Sequence, residues 1–251
     1  MDEMQLLIDL HIDGERQGPG GDDETRLAVT LSGLRGKTGL RVADIGCGTG
    51  ASTLVLAAEL DAHITAVDFL PPFLERLDTA TTLAGVTDQI TTHTGSMDNL
   101  PFEDGSLDAI WSEGAIYNMG FEAGVAAWRR YLKPGGVLAV SELTWITDQR
   151  PDDLQAHWDI EYSQVDTASA KIAILERHGY TVLGYFPLGA HCWLANYYRP
   201  MQARFDAILD KYDHDEAAQA LINAEQVEIN LYEANQDFVS YGFYIAQKTG
   251  D

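Results

Sequence analysis

From Leu40 onward, short apolar runs alternate with stretches in which apolar residues recur every three or four positions. The first pattern fits buried strands and the second fits helices laid by one face on a core. The spacing predicts strands over 41–45, 63–67, 90–93, 107–111 and 136–142, with helices over 51–60, 72–84 and 122–131 between them. Such alternation marks βαβ units on a parallel sheet, here the first half of a doubly wound one. A helix over 167–178 stopped by Gly179, then a strand over 180–186, continue it. The theme breaks at residues 187–237, where two further helical stretches precede a final aromatic strand over 238–247. Long insertions in compact domains tend to be lids or binding elements, which is how 187–237 is read. Ahead of the sheet, Asp22 and Asp23 open a capped helix reaching Leu34, and residues 1–38 are expected to form an N-terminal cap of helices on a 40–186 core.

Composition narrows the class. With 251 residues and 45% hydrophobic content, the chain builds one α/β core and is short for two domains. Its formal net charge of −23 and pI near 4.4 make nucleic acid or an anionic membrane surface a poor partner. Two cysteines give no disulfide framework and no paired metal ligands, so no metal is expected and a reducing cytoplasm fits. The acidic start MDEMQLLIDL lacks the positive charge of a secretory signal, and no apolar run nears the roughly 20 residues of a membrane span.

The chemistry concentrates in Val42-Ala-Asp-Ile-Gly-Cys-Gly-Thr-Gly50, a strand running into a glycine-rich turn and a helix opening at Ala51. Gly46, Gly48 and Gly50 let the backbone take positive φ and approach a ligand, while the helix N-terminus presents N–H groups and partial positive charge. The spacing Gly46-x-Gly48-x-x-Ala51 also satisfies a relaxed dinucleotide fingerprint, and Asp68 stands where either ligand would need an acid on ribose hydroxyls. Asp44 discriminates. A carboxylate two residues before the first glycine faces a pyrophosphate unfavourably, whereas the ammonium of a methionine moiety and a nearby sulfonium favour it.

Several motifs occur in order over residues 40–145. Besides Asp44–Gly50 these are Asp68, Gly95-Ser-Met-Asp-Asn-Leu-Pro-Phe102, Leu107-Asp-Ala-Ile-Trp-Ser-Glu113 and Leu132-Lys-Pro-Gly-Gly-Val-Leu138. As a set they resemble the class I S-adenosylmethionine-dependent methyltransferases, in the small-molecule, type 11-like branch. Arg16-Gln-Gly-Pro-Gly20 and Trp111-Ser-Glu-Gly-Ala-Ile-Tyr-Asn118 look like a bacterial subgroup of it. The resemblance implies a Rossmann-like, doubly wound, mainly parallel seven-stranded sheet with an antiparallel last strand. It implies that S-adenosylmethionine is bound and S-adenosylhomocysteine released. It carries the methionine end to Gln17, Asp44 and the turn Gly46, Cys47, Gly48 and Gly50, and the ribose to Asp68 with Phe69 beside it. The adenine edge falls to the Met97 backbone, its amino group to Ser96 or Asp98, and Ser112 and Glu113 lie between methionine and acceptor. Many relatives carry an acid where this chain has Ser96. Lys133-Pro-Gly-Gly136 reads as a structural stop and turn launching the fifth strand.

A small-molecule acceptor is expected where class I layout opens a mouth: Glu113, Tyr117 and Asn118 after strand four, Glu142 and Trp145 after strand five. Glu113, Tyr117 and Glu142 are the catalytic candidates. Acids among aromatics suit an amine or other cationic acceptor. His191-Cys-Trp-Leu-Ala-Asn-Tyr-Tyr-Arg199 in the insertion is expected to close the pocket. Trp145, Trp158 and Trp193 are also ordinary core candidates, and Glu142 an ordinary hydrogen-bonded residue. The isolated His157, His178 and His191 read as surface or capping residues. The alternatives are a nicotinamide-dependent oxidoreductase or a non-catalytic S-adenosylmethionine-binding protein; a homodimer is compatible with either reading.

Overall fold

The computed structural model describes residues 3–250. Among them, one sheet contains β1 (Leu40–Ile45), β2 (Ala62–Asp68), β3 (Ile90–Thr94), β4 (Leu107–Glu113), β5 (Leu132–Trp145), β6 (Asp166–Thr167), β7 (Tyr180–Pro187) and β8 (Val239–Lys248). The order is β3-β2-β1-β4-β5-β8-β7, with the two-residue β6 pairing β5 off that path. Strands β1 to β5 are parallel, while β8 runs antiparallel between β5 and β7. The architecture is thus mixed α/β, mainly parallel with an antiparallel last strand, as expected. After β3 the chain returns to the other side of β1, and the resulting switch point opens a crevice at the carboxyl ends of β1 and β4.

The helices in chain order are α1 (Glu3–His11), α2 (Asp22–Ser32), α3 (Ala51–Glu59), α4 (Pro71–Ala84), α5 (Phe121–Trp128), α6 (Asp152–Glu161) and α7 (Ala168–Arg177). Then come α8 (Ala190–Trp193), a π turn over Leu194–Tyr198, α9 (Arg199–Gln202), α10 (Phe205–Lys211) and α11 (Glu216–Asn235). Helix ends obey local chemistry: Gly33 and Gly85 close α2 and α4 in the left-handed conformation, and Asp215 caps α11 by accepting from Ala218 N at 2.8 Å.

Two apolar layers sandwich the sheet. On one face Ala43, Ile45 and Ile110 meet Phe121, Val125 and Trp128 of α5 and Leu175 of α7. On the other, Val42, Ile64 and Trp111 share a continuous core with α1, α2, α3, α4 and the helices of the 187–237 insertion. The N-terminal cap and the insertion form one roof. Arg204 Nε donates to Leu10 O at 3.0 Å, Tyr212 OH to Asp9 at 2.5 Å and Asn196 Nδ2 to Gly20 O at 2.8 Å. No helix of the described residues is long and apolar enough to cross a membrane.

Three local expectations are corrected. Strand β5 begins at Leu132, not 136, because Lys133-Pro-Gly-Gly136 is an irregularity inside it: Leu107 pairs Leu132, yet Ala109 already pairs Val137. Helix α6 and strand β6 form where no apolar periodicity announces them; α6 buries only Leu154 and Trp158. The cap helix α2 stops at Ser32, two residues short of Leu34.

Candidate active site

The turn after β1 is held in place by its own backbone. Gly46, Gly48 and Gly50 take φ of 70°, 56° and 92°, which side chains resist. A Cβ on Gly46 would overlap the Ala115 side chain, and one on Gly50 would overlap Leu77. The amides of Gly46 and Cys47 both donate to Val67 O, at 2.8 and 3.1 Å. Gly48 N donates to Asp68 Oδ2 and Thr49 N to Gln17 Oε1, each at 2.9 Å. These amides, expected to face a ligand, are therefore spent on positioning Asp68 and Gln17.

Asp68 also accepts from Leu70 N at 2.9 Å through Oδ1, so each oxygen holds one backbone donor and keeps lone pairs for a ligand. Burial pushes its carboxyl above the usual range against those hydrogen bonds. Gln17 donates to His11 O at 3.3 Å and Gly14 O at 3.0 Å, tying the N-terminal cap to the turn.

A cavity of about 710 Å³ starts from this turn. Gln17, Gly46, Gly48, Asp68, Phe69 and the Ser96–Asp98 loop after β3 line it on the β1–β3 side. Phe69 is 65% exposed, an aromatic ring left uncovered beside a carboxylate. The Met97 carbonyl accepts from Trp128 Nε1 at 2.9 Å, which fixes that loop. On the β4–β8 side the wall is Tyr117 and Asn118 after β4, Trp158, Glu161 and Tyr162 from α6 and its end, Trp193 and Tyr197 from the insertion, Glu225 and Glu228 of α11, and Tyr241 of β8.

Several expected site residues do not line the cavity. Asp44 is fully buried beneath the turn, where Oδ2 accepts from Ser52 Oγ at 2.8 Å and Thr53 Oγ1 at 2.7 Å. It braces the start of α3, and burial pushes its pKa up to about 7; Oδ1 has no hydrogen-bond partner. Cys47 is buried, its thiol pushed well above the ordinary range, and Gly50 packs on Leu77. Ser112 is wholly buried inside the sheet.

Two of the three catalytic candidates are corrected likewise. Glu113 accepts from Thr25 Oγ1 at 2.7 Å, Trp111 Nε1 at 2.9 Å and Arg16 Nη1 at 3.2 Å, so its carboxylate is saturated in a buried clasp between the cap and β4. Arg16 also holds Asp22 at 3.0 Å. Glu142 is 1% exposed, 3.6 Å from the equally buried Lys171 ammonium, and burial pushes it up to about 7. Trp145 is buried under the Arg150 guanidinium, 4.2 Å from the ring centroid. Only Tyr117 of that trio faces the cavity, meeting Tyr162 edge-on at 5.9 Å.

The histidines divide. His178 lies at the surface 2.9 Å from Glu122, and His157 packs edge-on to Trp158. His191 pairs with Glu24 at 3.0 Å, joining α8 to α2, and these two with Cys192 bring ligand-capable atoms within 4.8 Å of one another, a convergence no linear spacing announced.

Sequence reading passed over Glu161, Tyr162, Tyr197, Glu225, Glu228 and Tyr241. One signal was present. Along α11 the buried Ala218, Ile222, Ile229 and Tyr232 are spaced as a core stripe, and Glu225 occupies the vacant position between Ile222 and Ile229. A carboxylate on a core stripe is an error unless it serves a function.

Residues 42–136 match a family described as a methyltransferase domain. The chain is 33% identical over 135 residues to malonyl-[acyl-carrier protein] O-methyltransferase of Dechloromonas aromatica, covering 51% of this chain and 48% of that protein. It is 33% identical over 102 residues to dimethylglycine N-methyltransferase of Parasynechococcus marenigrum, covering 40% and 36%. The chain thus spans about half or less of the length of these relatives. Its fold matches the S-adenosylmethionine-dependent methyltransferase of Geobacter sulfurreducens, solved with S-adenosylhomocysteine, at TM-score 0.83 and 19% identity over 96% of this chain and 97% of that one. Residues 42–136 thus match a methyltransferase domain beneath the switch point, and the chain shares the fold of that S-adenosylmethionine-dependent methyltransferase over nearly its whole length.

Proposed function

We propose that the chain transfers the methyl group of S-adenosylmethionine to a small-molecule acceptor. One observation carries the reading: a single cavity joins the glycine turn and Asp68 to a separate aromatic and acidic wall, so donor and acceptor can share it. About 710 Å³ lies within the roughly 300–1,000 Å³ of small-molecule sites. The residues on the β1–β3 side fit the donor. Asp68 keeps lone pairs for two ribose hydroxyls, and Phe69 offers an uncovered ring for the adenine beside Ser96, Met97 and Asp98. The amino-acid tail would lie along the side-chain-free Gly46 and Gly48 beside Gln17, with Asp44 bracing the turn from below. The donor supplies an electrophilic methyl on a sulfonium: the acceptor's lone pair forms the new bond as the carbon–sulfur bond breaks, and sulfur keeps that electron pair.

The protein's part is alignment. Holding nucleophile, methyl carbon and sulfur in line is worth up to about 7–11 kcal/mol, so a dedicated base is not required. The roof of residues 3–38 and 187–237 would exclude water from the transfer. The high negative charge disfavours nucleic acid as acceptor, and we assign the activity to the cytoplasm.

Titration calorimetry with S-adenosylhomocysteine against NADH tests the reading. Binding of the first and not the second is expected, together with loss of affinity in Asp68→Asn. Binding of NADH alone would return the fold to the oxidoreductases. Release of S-adenosylhomocysteine in the presence of acceptors separates an enzyme from a binding protein.

A further inference from the structure

We propose that the acceptor carries an aliphatic ammonium group, which Glu225 and Glu228 hold against the aromatic wall of the cavity. The inference rests on the proposed methyl transfer and names the substrate class of that same site.

The cavity's charge is one-sided. Its lining includes five carboxylates, those of Asp68, Asp98, Glu161, Glu225 and Glu228, and among the described residues no Lys or Arg lines it. His11 is the one imidazole in the lining, and burial beside Arg204 pushes it down to about 4, so it stays neutral at pH 7. The first two acids belong to the donor side. The other three lie on the β4–β8 side, where the donor's own charges are not expected.

Glu225 and Glu228 are three apart on α11, and the Glu228 carboxylate adds to burial in disfavouring the charge on Glu225. Glu228 accepts from Tyr198 OH at 2.8 Å, while Glu225 makes no ion pair and no hydrogen bond among the described residues. Burial then pushes Glu225 up to about 7. Helix α11 holds these two acids toward an aromatic-walled space where, among the described residues, neither makes an ion pair and, of basic groups, only His157 favours the Glu228 charge, an arrangement that is costly until a cation arrives.

The surrounding wall is independent of the acids and suits the same guest. Tyr197, Tyr241, Trp158 and Trp193 converge from four different elements, and ring faces attract alkylammonium groups. Trp158 is 9% exposed, and its enclosed Nε1 has no hydrogen-bond partner among the described residues. A neutral or anionic acceptor would leave the acids uncompensated.

The test uses shape-matched probes on the full chain: choline as cation, 3,3-dimethylbutan-1-ol as its neutral counterpart and 3,3-dimethylbutyrate as the anion. Affinities are read from tryptophan fluorescence with and without saturating S-adenosylhomocysteine. Choline is expected to bind roughly tenfold or more tightly than the alcohol, with the anion weakest. In Glu225→Gln/Glu228→Gln that preference should vanish while S-adenosylhomocysteine affinity, which also reports folding, stays within about twofold of wild type. Equal binding of choline and the alcohol, no choline binding, or a preference surviving the double substitution would each overturn the proposal. Failure of S-adenosylhomocysteine to bind while choline is still preferred would instead strike the methyl-transfer reading.

Discussion

The two walls of the cavity are built in opposite ways. On the β1–β3 side, Gly46, Gly48 and Asp68 lie within 23 residues and are knitted together by backbone hydrogen bonds such as Gly48 N to Asp68. On the β4–β8 side, Tyr117, Trp158, Tyr197, Glu225 and Tyr241 come from five separate segments, and side-chain packing alone brings them together. A wall made of backbone tolerates little change and suits a ligand common to many proteins. A wall made of side chains on a roof can change one position at a time, as acceptor specificity requires.

The sharpest way to break that contrast is to cut the clasp between roof and sheet. Arg16→Met strands the Glu113 carboxylate in a buried site and is expected to cost about 3–5 kcal/mol, measured by urea denaturation. Glu113→Gln keeps acceptors for Trp111 and Thr25 and should cost less; an equal or smaller loss in Arg16→Met would mean that the clasp does not tie the two halves. Next comes Gly46→Ala. Positive φ alone costs about 1–3 kcal/mol before the methyl meets Ala115, so S-adenosylhomocysteine affinity should fall steeply, whereas the Glu225/Glu228 wall should keep its cation preference.

Asp68→Asn is a milder probe of the same wall. Losing a charge-assisted hydrogen bond is worth about 1.5–3 kcal/mol, or about 10- to 100-fold in S-adenosylhomocysteine affinity by calorimetry. An unchanged affinity would remove the ribose role. The smallest effect is in pH. Burial raises Asp44, Glu142 and Glu225 each to about 7 in the folded chain, so folding favours their protonated forms. Their contribution is fullest below the ordinary carboxylate range near 4 and is lost as pH climbs through about 7. Melting temperature should therefore fall between pH 5.5 and 8, and Glu225→Gln should flatten that fall by one group's share; an unaltered slope would mean that Glu225 titrates normally.

The roof also explains why the catalytic candidates moved. Glu113 ends β4 and Glu142 lies three residues before the end of β5, near the right place for chemistry on a linear reading, but Arg16 from the loop between α1 and α2 and Lys171 from α7 pack against them. Tyr117, on the loop beyond β4, escapes this and reaches the cavity.

What the chain determined by itself was local: strand and helix periods, the three glycines whose φ no other residue accepts cheaply, and an acid placed after β2 to meet them. Those features depend on neighbours a few residues away or one strand over, so the linear pattern carries them. Only tertiary packing decided which carboxylates face the cavity and which are clasped, because that depends on whether a cation from a distant segment lands beside each one. Glu113 found Arg16 and became structure. Glu225, on an otherwise apolar stripe, found none and was left facing the cavity.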